Sequence, residues 1–338
     1  MKWTSTRRAT PLIALAVSTS LAAWVGPRAE PGPPPDRCHH VQVRDKIAYL
    51  GQTSGLATVD VSDPTRPKQI GRLLLHATVH GLTLDEHHAY LAAGTRGLFI
   101  VDASDPSAPE VVERFDTPGM LRDVAVAGHH AFLADGREGL RVVDLEDLTR
   151  PLQVAWVPSR QEVRGLHLAG DRLALAEEKA GVRVFDVSRP SAPRETTFLD
   201  VEPAALDVAL LDDLVLVAAG SRGLLVLRPQ GGRRPELVSE VPASGSAQRV
   251  TVHGSIVLVA NGVAGLQMID ISDPANPRRL STVQVHRVAS IGQLVMEGDL
   301  AYVAAGLAGL AVVDLSRPET PGVLLPRERT FNVTFADP

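Results

Sequence analysis

The chain has 338 residues, 44% hydrophobic but only 4% aromatic, with 25 prolines, 28 glycines and a formal net charge of −5. Prolines and glycines at that density exclude long uninterrupted helices, and the net negative charge excludes the basic face that a nucleic-acid binder needs. A core poor in aromatics must be filled by Val, Leu, Ile and Ala, residues that suit strands buried on both faces.

The N-terminus reads as a targeting segment. Lys2, Arg7 and Arg8 form a positive region ahead of the apolar run from Pro11 to Val25, which Ser18, Thr19 and Ser20 interrupt. Ser20 and Ala22 stand at −3 and −1 of a cleavage site after Ala22, so residues 1–22 are expected to be a signal peptide and the protein to be exported, whether periplasmic, secreted or on the cell surface. The run is too short and broken for a membrane span, and no transmembrane span is expected after cleavage. Loss of Lys2, Arg7 and Arg8 would take the net charge from −5 to −8. Residues 23–37 follow as a linker whose Pro31-Gly32-Pro33-Pro34-Pro35 is an extended, semi-rigid spacer. The single cysteine, Cys38, cannot form an intramolecular disulfide; it reads as an incidental thiol, with an intermolecular disulfide as the alternative.

From residue 38 to 325 the chain repeats itself. A glycine followed by an apolar run ending in aspartate occurs at Gly55–Asp60, Gly97–Asp102, Gly139–Asp144, Gly181–Asp186, Gly265–Asp270 and Gly309–Asp314. The fifth copy in chain order, from Gly223 to Arg228, lacks the aspartate. Successive glycines lie 42 residues apart, the last pair 44, and a proline follows each by 12 positions, from Pro67 to Pro321. Within a copy, four short apolar runs alternate with turn residues; in the third they are Asp123–Ala127, Ala131–Ala134, Leu140–Leu145 and Leu152–Val157. Four such strands make one antiparallel blade. A lone blade exposes two oily faces, and a ring of seven covers them all. The fold class is therefore all-β, a seven-bladed β-propeller of four-stranded antiparallel blades.

The fixed residues have structural roles. The glycine serves a turn where φ is positive. The aspartate caps the Ser-Asp-Pro turn after its strand, as at Ser62-Asp63-Pro64 and Ser104-Asp105-Pro106. The proline opens an outer edge strand, which can spare the N–H. The first copy has its own inner strand and the seventh its own outer one, so no strand need be shared to close the ring. The tail, residues 326–338, contains Phe331-Asn-Val-Thr-Phe335, whose alternation reads as an added strand against a terminal blade.

The strands Leu98-Phe-Ile-Val-Asp102, Leu140-Arg-Val-Val-Asp144 and Leu310-Ala-Val-Val-Asp314, each followed by a Ser-Asp-Pro-type turn, resemble the LVIVD repeat. The resemblance covers about residues 39–325. It implies a bacterial or archaeal secreted or cell-surface β-propeller and carries no catalytic motif. The fifth copy departs from it, Arg228-Pro-Gln-Gly-Gly-Arg-Arg234 replacing the usual turn, and a looser edge is expected there.

Alignment of the seven inner strands places His39, His80, Arg122, Arg164, Leu206, Gln248 and Gly292 at the central mouth. The next row is His40, Gly81, Asp123, Gly165, Asp207, Arg249 and Gln293, and His167 stands two residues further on. The position between is apolar in every copy, so the polar side is expected to border the channel. The candidate ligand-binding residues are His39, His40, His80, Arg122, Asp123, Arg164, His167, Asp207, Gln248 and Arg249. Histidines and carboxylates there could hold a cation or handle protons, and the arginines an anionic group; the bland alternative is a polar lining of a water-filled pore. His87-His88 and His129-His130 read as solvated turn residues on the opposite face. No triad, zinc or nucleotide motif is present, no cofactor is expected, and the reading is a non-catalytic binding or scaffold module for a protein, glycan or small molecule. The alternative is a metal-assisted, lactonase-like propeller hydrolase using the channel. The tail makes the first test: deletion of residues 327–338 should lower the thermal midpoint, and an unchanged midpoint would remove the added strand.

Overall fold

The computed structural model describes residues 36–230, 233–285 and 291–324. The expected signal peptide, nearly all of the linker and the tail strand lie outside them. Among the described residues, twenty-eight strands form seven four-stranded antiparallel sheets, each built from consecutive strands. Helical structure there is limited to two three-residue turns, Gly136–Glu138 and Gly262–Ala264. The third blade shows the pattern: Asp123–Ala127 innermost, then His130–Ala134, Leu140–Asp144 and Leu152–Val157 outermost.

The blades meet through apolar seams. Seven clusters of buried side chains among the described residues correspond to the seven junctions of neighbouring sheets. The apolar row of the inner strands contributes one residue to each: Val41, Leu82, Val124, Leu166, Val208, Val250 and Leu294, all at most 7% exposed. At roughly 1.5–3 kcal/mol for each such side chain, these seams dominate what holds the sheets together.

The ring closes between its first and last blades with the same contacts found elsewhere. In the third to sixth blades the residue just before the mouth position and the turn after the second strand of the preceding blade share a backbone hydrogen bond. Examples are Leu121 N–H to Gly94 O (3.0 Å), Val163 to Gly136 (3.0 Å), Ala205 to Glu178 (2.8 Å) and Ala247 to Gly220 (2.9 Å). At the closing junction Cys38 N–H donates to Gly306 O at 2.9 Å and Gly306 N–H returns to Cys38 O at 3.1 Å. First and last blades are each contiguous in the chain, so closure needs no strand exchange. Cys38 is 1% exposed within this junction, and burial pushes its thiol up to about 12. Burial and a suppressed thiolate both oppose the intermolecular disulfide.

All six repeated aspartates cap the turn that follows. Asp60, Asp102, Asp144, Asp186, Asp270 and Asp314 each accept the backbone N–H two residues on, at 2.8–3.0 Å. Six of the repeated prolines directly precede the outer strand, whereas Pro235 lies inside it. The fifth blade departs from the others at its outer edge, and the tip of that hairpin lies outside the described residues. Without the capped turn its outer hairpin lengthens, Leu224–Gln230 pairing with Arg233–Val241 as far as Gln230 opposite Arg233. A further feature was not legible: in six blades the third and fourth strands shift register at equivalent points, as at Val142/Val143. The resulting bulge bends the outer strand. His88 and His130 also differ from expectation: each opens a second strand and is half-buried, while His87 and His129 remain exposed in turns.

The repeated glycine is demanded by both backbone and space. Gly139 has φ 96°, and a Cβ there would stand 2.2 Å from Val157 O and 2.6 Å from Ser159 N. Gly128, at φ 55°, faces open space. Gly139→Ala should therefore cost about 3 kcal/mol or more and Gly128→Ala about 1, as read by urea unfolding; equal losses at the two positions would contradict the close approach.

Candidate functional site

Six of the seven mouth residues are each set by a hydrogen bond within their own blade. The N–H groups of His80, Arg122, Arg164, Leu206, Gln248 and Gly292 donate to the carbonyls of Ala92, Ala134, Ala176, Ala218, Ala260 and Ala304, at 2.7–2.9 Å. Each of these bonds closes the ladder between inner and second strands, so the side chains converge at one end of the channel. There they enclose a cavity of about 370 Å3, lined by His39, His80, Arg122, Arg164, Leu206, Gln248, Arg249, Ile291 and Gly292. All seven aligned mouth positions belong to this lining. Ile291 was not foreseen, since it precedes the aligned position.

Of the three arginines in this lining among the described residues, two are already hydrogen-bonded to carboxylates. Arg122 donates to Glu162 at 2.6 Å, and Arg164 pairs with Glu178. Burial opposes ionisation of Glu162, but the hydrogen bond and charge of Arg122 prevail and hold its carboxyl below the ordinary range. Neither glutamate was among the candidate residues. Both lie in loops outside the inner strands, at positions where other copies carry no acid: Glu178 stands where Gly94, Gly136 and Gly220 do, and Glu162 where Met120, Ala204 and Ser246 do.

His39 and His80 face each other with ring centroids 6.2 Å apart. Burial and neighbouring cations keep both imidazoles neutral, His80 falling to about 4. Nε2 of His39 lies 3.3 Å from the Thr53 hydroxyl.

The row beneath is arranged differently from a ligand cluster. Asp123 Oδ2 accepts the N–H of Leu166 at 3.2 Å, and Asp207 Oδ2 accepts that of Val250 at 3.0 Å. In both cases a carboxylate of one blade satisfies the inner strand of the next. His167 does the same through Nδ1, which accepts the Leu210 N–H at 3.2 Å. The inner edge of every blade has backbone groups that no fifth strand pairs, and these side chains cover part of that need. Gly81 and Gly165 make room for the carboxylates: a Cβ on Gly81 would come 2.7 Å from Asp123 Oδ1, and one on Gly165 would come 2.6 Å from Asp207 Oδ1. Among the described residues no three His, Cys, Asp or Glu side chains are grouped so as to hold a metal ion. His40 is buried in the wall, its imidazole driven down to about 3 by burial and then by Arg249, and its Nδ1 has no hydrogen-bond partner. The structure therefore brings His39, His80, Arg122, Arg164, Gln248 and Arg249 to one cavity, puts Asp123 and Asp207 below it, and commits His167 to the backbone.

Arg249 links the two levels. Its Nη1 is 3.9 Å from Asp207 Oδ1, and its charge acts on His39, His40, His80, Asp123 and Asp207. Burial raises both carboxyls; Asp123 reaches about 7, with Arg249 opposing and the charge of Asp207 adding to the rise.

The model of the LVIVD repeat family matches residues 37–74, 78–117, 118–156, 244–285 and 291–325, more than half of the chain. The fourth and fifth blades lie mainly between the third and fourth matched segments, yet have the same four-stranded form. Among solved structures, the computationally designed Ika8 protein is similar at TM-score 0.62 and 10% identity over 81% of this chain and 82% of that one. BamB from Moraxella catarrhalis is similar at TM-score 0.56 and 13% identity over 80% of each chain. Identities this low show the fold alone. Comparison with curated proteins finds no match.

The raised carboxyl of Asp123 gives a signed prediction. Its folded value of about 7 lies above the ordinary carboxylate value, so the folded state holds the extra proton between roughly pH 4 and 7. The stability it contributes is complete below that window and is lost as pH rises through it. Asp123→Asn should therefore gain stability relative to the wild type as pH rises from 4 to 7.5, measured by urea unfolding at several pH values. Parallel profiles would show that Asp123 titrates normally.

Proposed function

Because this chain belongs to the LVIVD repeat family, we propose that it is a non-catalytic binding module working outside the cytoplasm, with its ligand seated in the central mouth. The observation that carries this reading is the convergence of all seven blades on one cavity. Concave sites with a few convergent polar groups and an apolar patch, here Leu206 and Ile291, are where ligands settle on such scaffolds. A volume of about 370 Å3 suits a small molecule or a terminal glycan unit better than a folded protein.

The fixed repeat residues all serve turns and seams, which leaves the mouth as the place where blades differ from one another. Export is supported by the charged and apolar N-terminal pattern around Lys2, Arg7, Arg8 and the run to Val25. No helix among the described residues is long and apolar enough to cross a membrane. The hydrolase reading is weakened because the channel carboxylates spend an oxygen each on the neighbouring inner strand.

A thermal-shift panel of sugars, organic acids and short peptides should raise the midpoint with at least one class. Leu206→Trp, which fills the mouth, should abolish that shift while leaving the unliganded midpoint within a few degrees. A shift that persists in Leu206→Trp, or a panel with no shift at all, would overturn the proposal.

A further inference from the structure

Among the described residues, Arg249 is the one arginine of the mouth not held by a glutamate. It springs from the sixth blade one row deeper than Arg122 and Arg164, and it reaches across the channel. Its Nη1 lies 3.7 Å from where a Cβ on Gly165 of the fourth blade would stand, and 3.9 Å from Asp207 of the fifth. It also lines the cavity. Among the described residues its guanidinium donates no hydrogen bond to a protein acceptor, since 3.9 Å is beyond donor range. A planar fork of five N–H donors, 28% exposed at the side-chain level, is thus aimed into a concave site with its hydrogen-bonding capacity unspent. By contrast with the long Arg249–Asp207 ion pair, Arg122 and Arg164 are hydrogen-bonded directly to their glutamates.

Resting on the reading of the mouth as the binding site, we infer that its ligand is a small organic carboxylate, the carboxylate seated on the Arg249 guanidinium and the polar body against His39, His80 and Gln248. The fork geometry matches a carboxylate bidentately. The charge selects against a phosphate dianion, because Asp207 and Asp123 stand just below the guanidinium and would repel the second negative charge. Neutral imidazoles and an amide on the rim offer donors and acceptors to hydroxyl groups, while Leu206 and Ile291 supply an apolar wall.

The site carries its own pH response. Asp123 is faced by Arg249 and Asp207; His80 by Arg122, His39 and Arg249; and His39 by Arg37, Arg249 and Asp36. As pH falls through about 7, Asp123 takes up a proton and stops competing for the Arg249 charge. Protonation of the two histidines at lower pH acts in the same direction. A bound anion should therefore be held more tightly in mild acid than in mild base.

Calorimetric titration of the full chain with glucuronate, lactate, glucose and inorganic phosphate tests the inference. A carboxylate should bind, with glucose and phosphate each weaker, and binding should strengthen from pH 8 to pH 6. Arg249→Gln should weaken it roughly 10- to 100-fold, the range expected for hydrogen bonds to a charged group. Arg249→Lys, which keeps the charge without the fork, should fall between, and Asp123→Asn should flatten the pH response. Retained affinity in Arg249→Gln, glucose or phosphate equal to or tighter than the carboxylates, or no carboxylate binding at millimolar concentration would overturn it. A panel ligand lost in Leu206→Trp but indifferent to Arg249→Gln would leave the mouth as the site and sink the carboxylate alone. A ligand indifferent to both would sink the two readings together.

Discussion

Everything in this molecule depends on one constraint: a four-stranded sheet of Val, Leu, Ile and Ala has two faces to hide and can hide neither by itself. Each blade therefore needs two neighbours, and only a ring supplies two to every blade. The seven seam clusters are the result, and the seventh, joining Cys38, Val41 and Leu50 to Tyr302 and Val312, is of the same kind as the other six. Closure follows from burial and from the repeated backbone contact, with Cys38 and Gly306 taking the places of Leu121 and Gly94. An exchanged strand is unnecessary where the closing seam is as well filled as the rest.

The same ring creates a second requirement at its centre. Seven inner strands present unpaired edges to a narrow channel, and buried backbone N–H groups need acceptors. Asp123, Asp207 and His167 meet that need by reaching from one blade to the next. What looks from the sequence like a reactive mixture of acids and histidines is thus largely occupied in joining blades. The glycines at 81 and 165 belong to this arrangement, since they vacate the space that the carboxylates enter. Arg249 is left at the boundary, near enough to Asp207 to be balanced and too far to be satisfied.

The repeat made the core and the mouth legible together. Once the inner strands were aligned by their glycine and proline landmarks, period-2 alternation sorted them into a seam row and a channel row, and the seven mouth positions followed by counting. The fifth blade shows where this reasoning stops. Loss of its aspartate and of the Ser-Asp-Pro turn correctly marked that hairpin as different, yet the consequence was a longer ladder to Arg233, because freed backbone groups paired with each other. His88 and His130 were likewise misplaced by a residue, since strand ends are settled by pairing with Asp102 and Asp144 across the sheet.

The amino-acid sequence by itself determined the number of blades, the strands within each, the turns that end them and which side chains would share a mouth. These are consequences of local periodicity and turn chemistry, repeated often enough to be unmistakable. Only the tertiary structure decided which of those side chains remain available. Glu162, at the entry to the fourth blade, reaches back to Arg122 of the third, the acceptors of the inner edges lie about 43 residues from their donors, and the reach of Arg249 across to Gly165 depends on the width of the closed channel. Such pairings are set by distances between blades, and a one-dimensional pattern does not contain them.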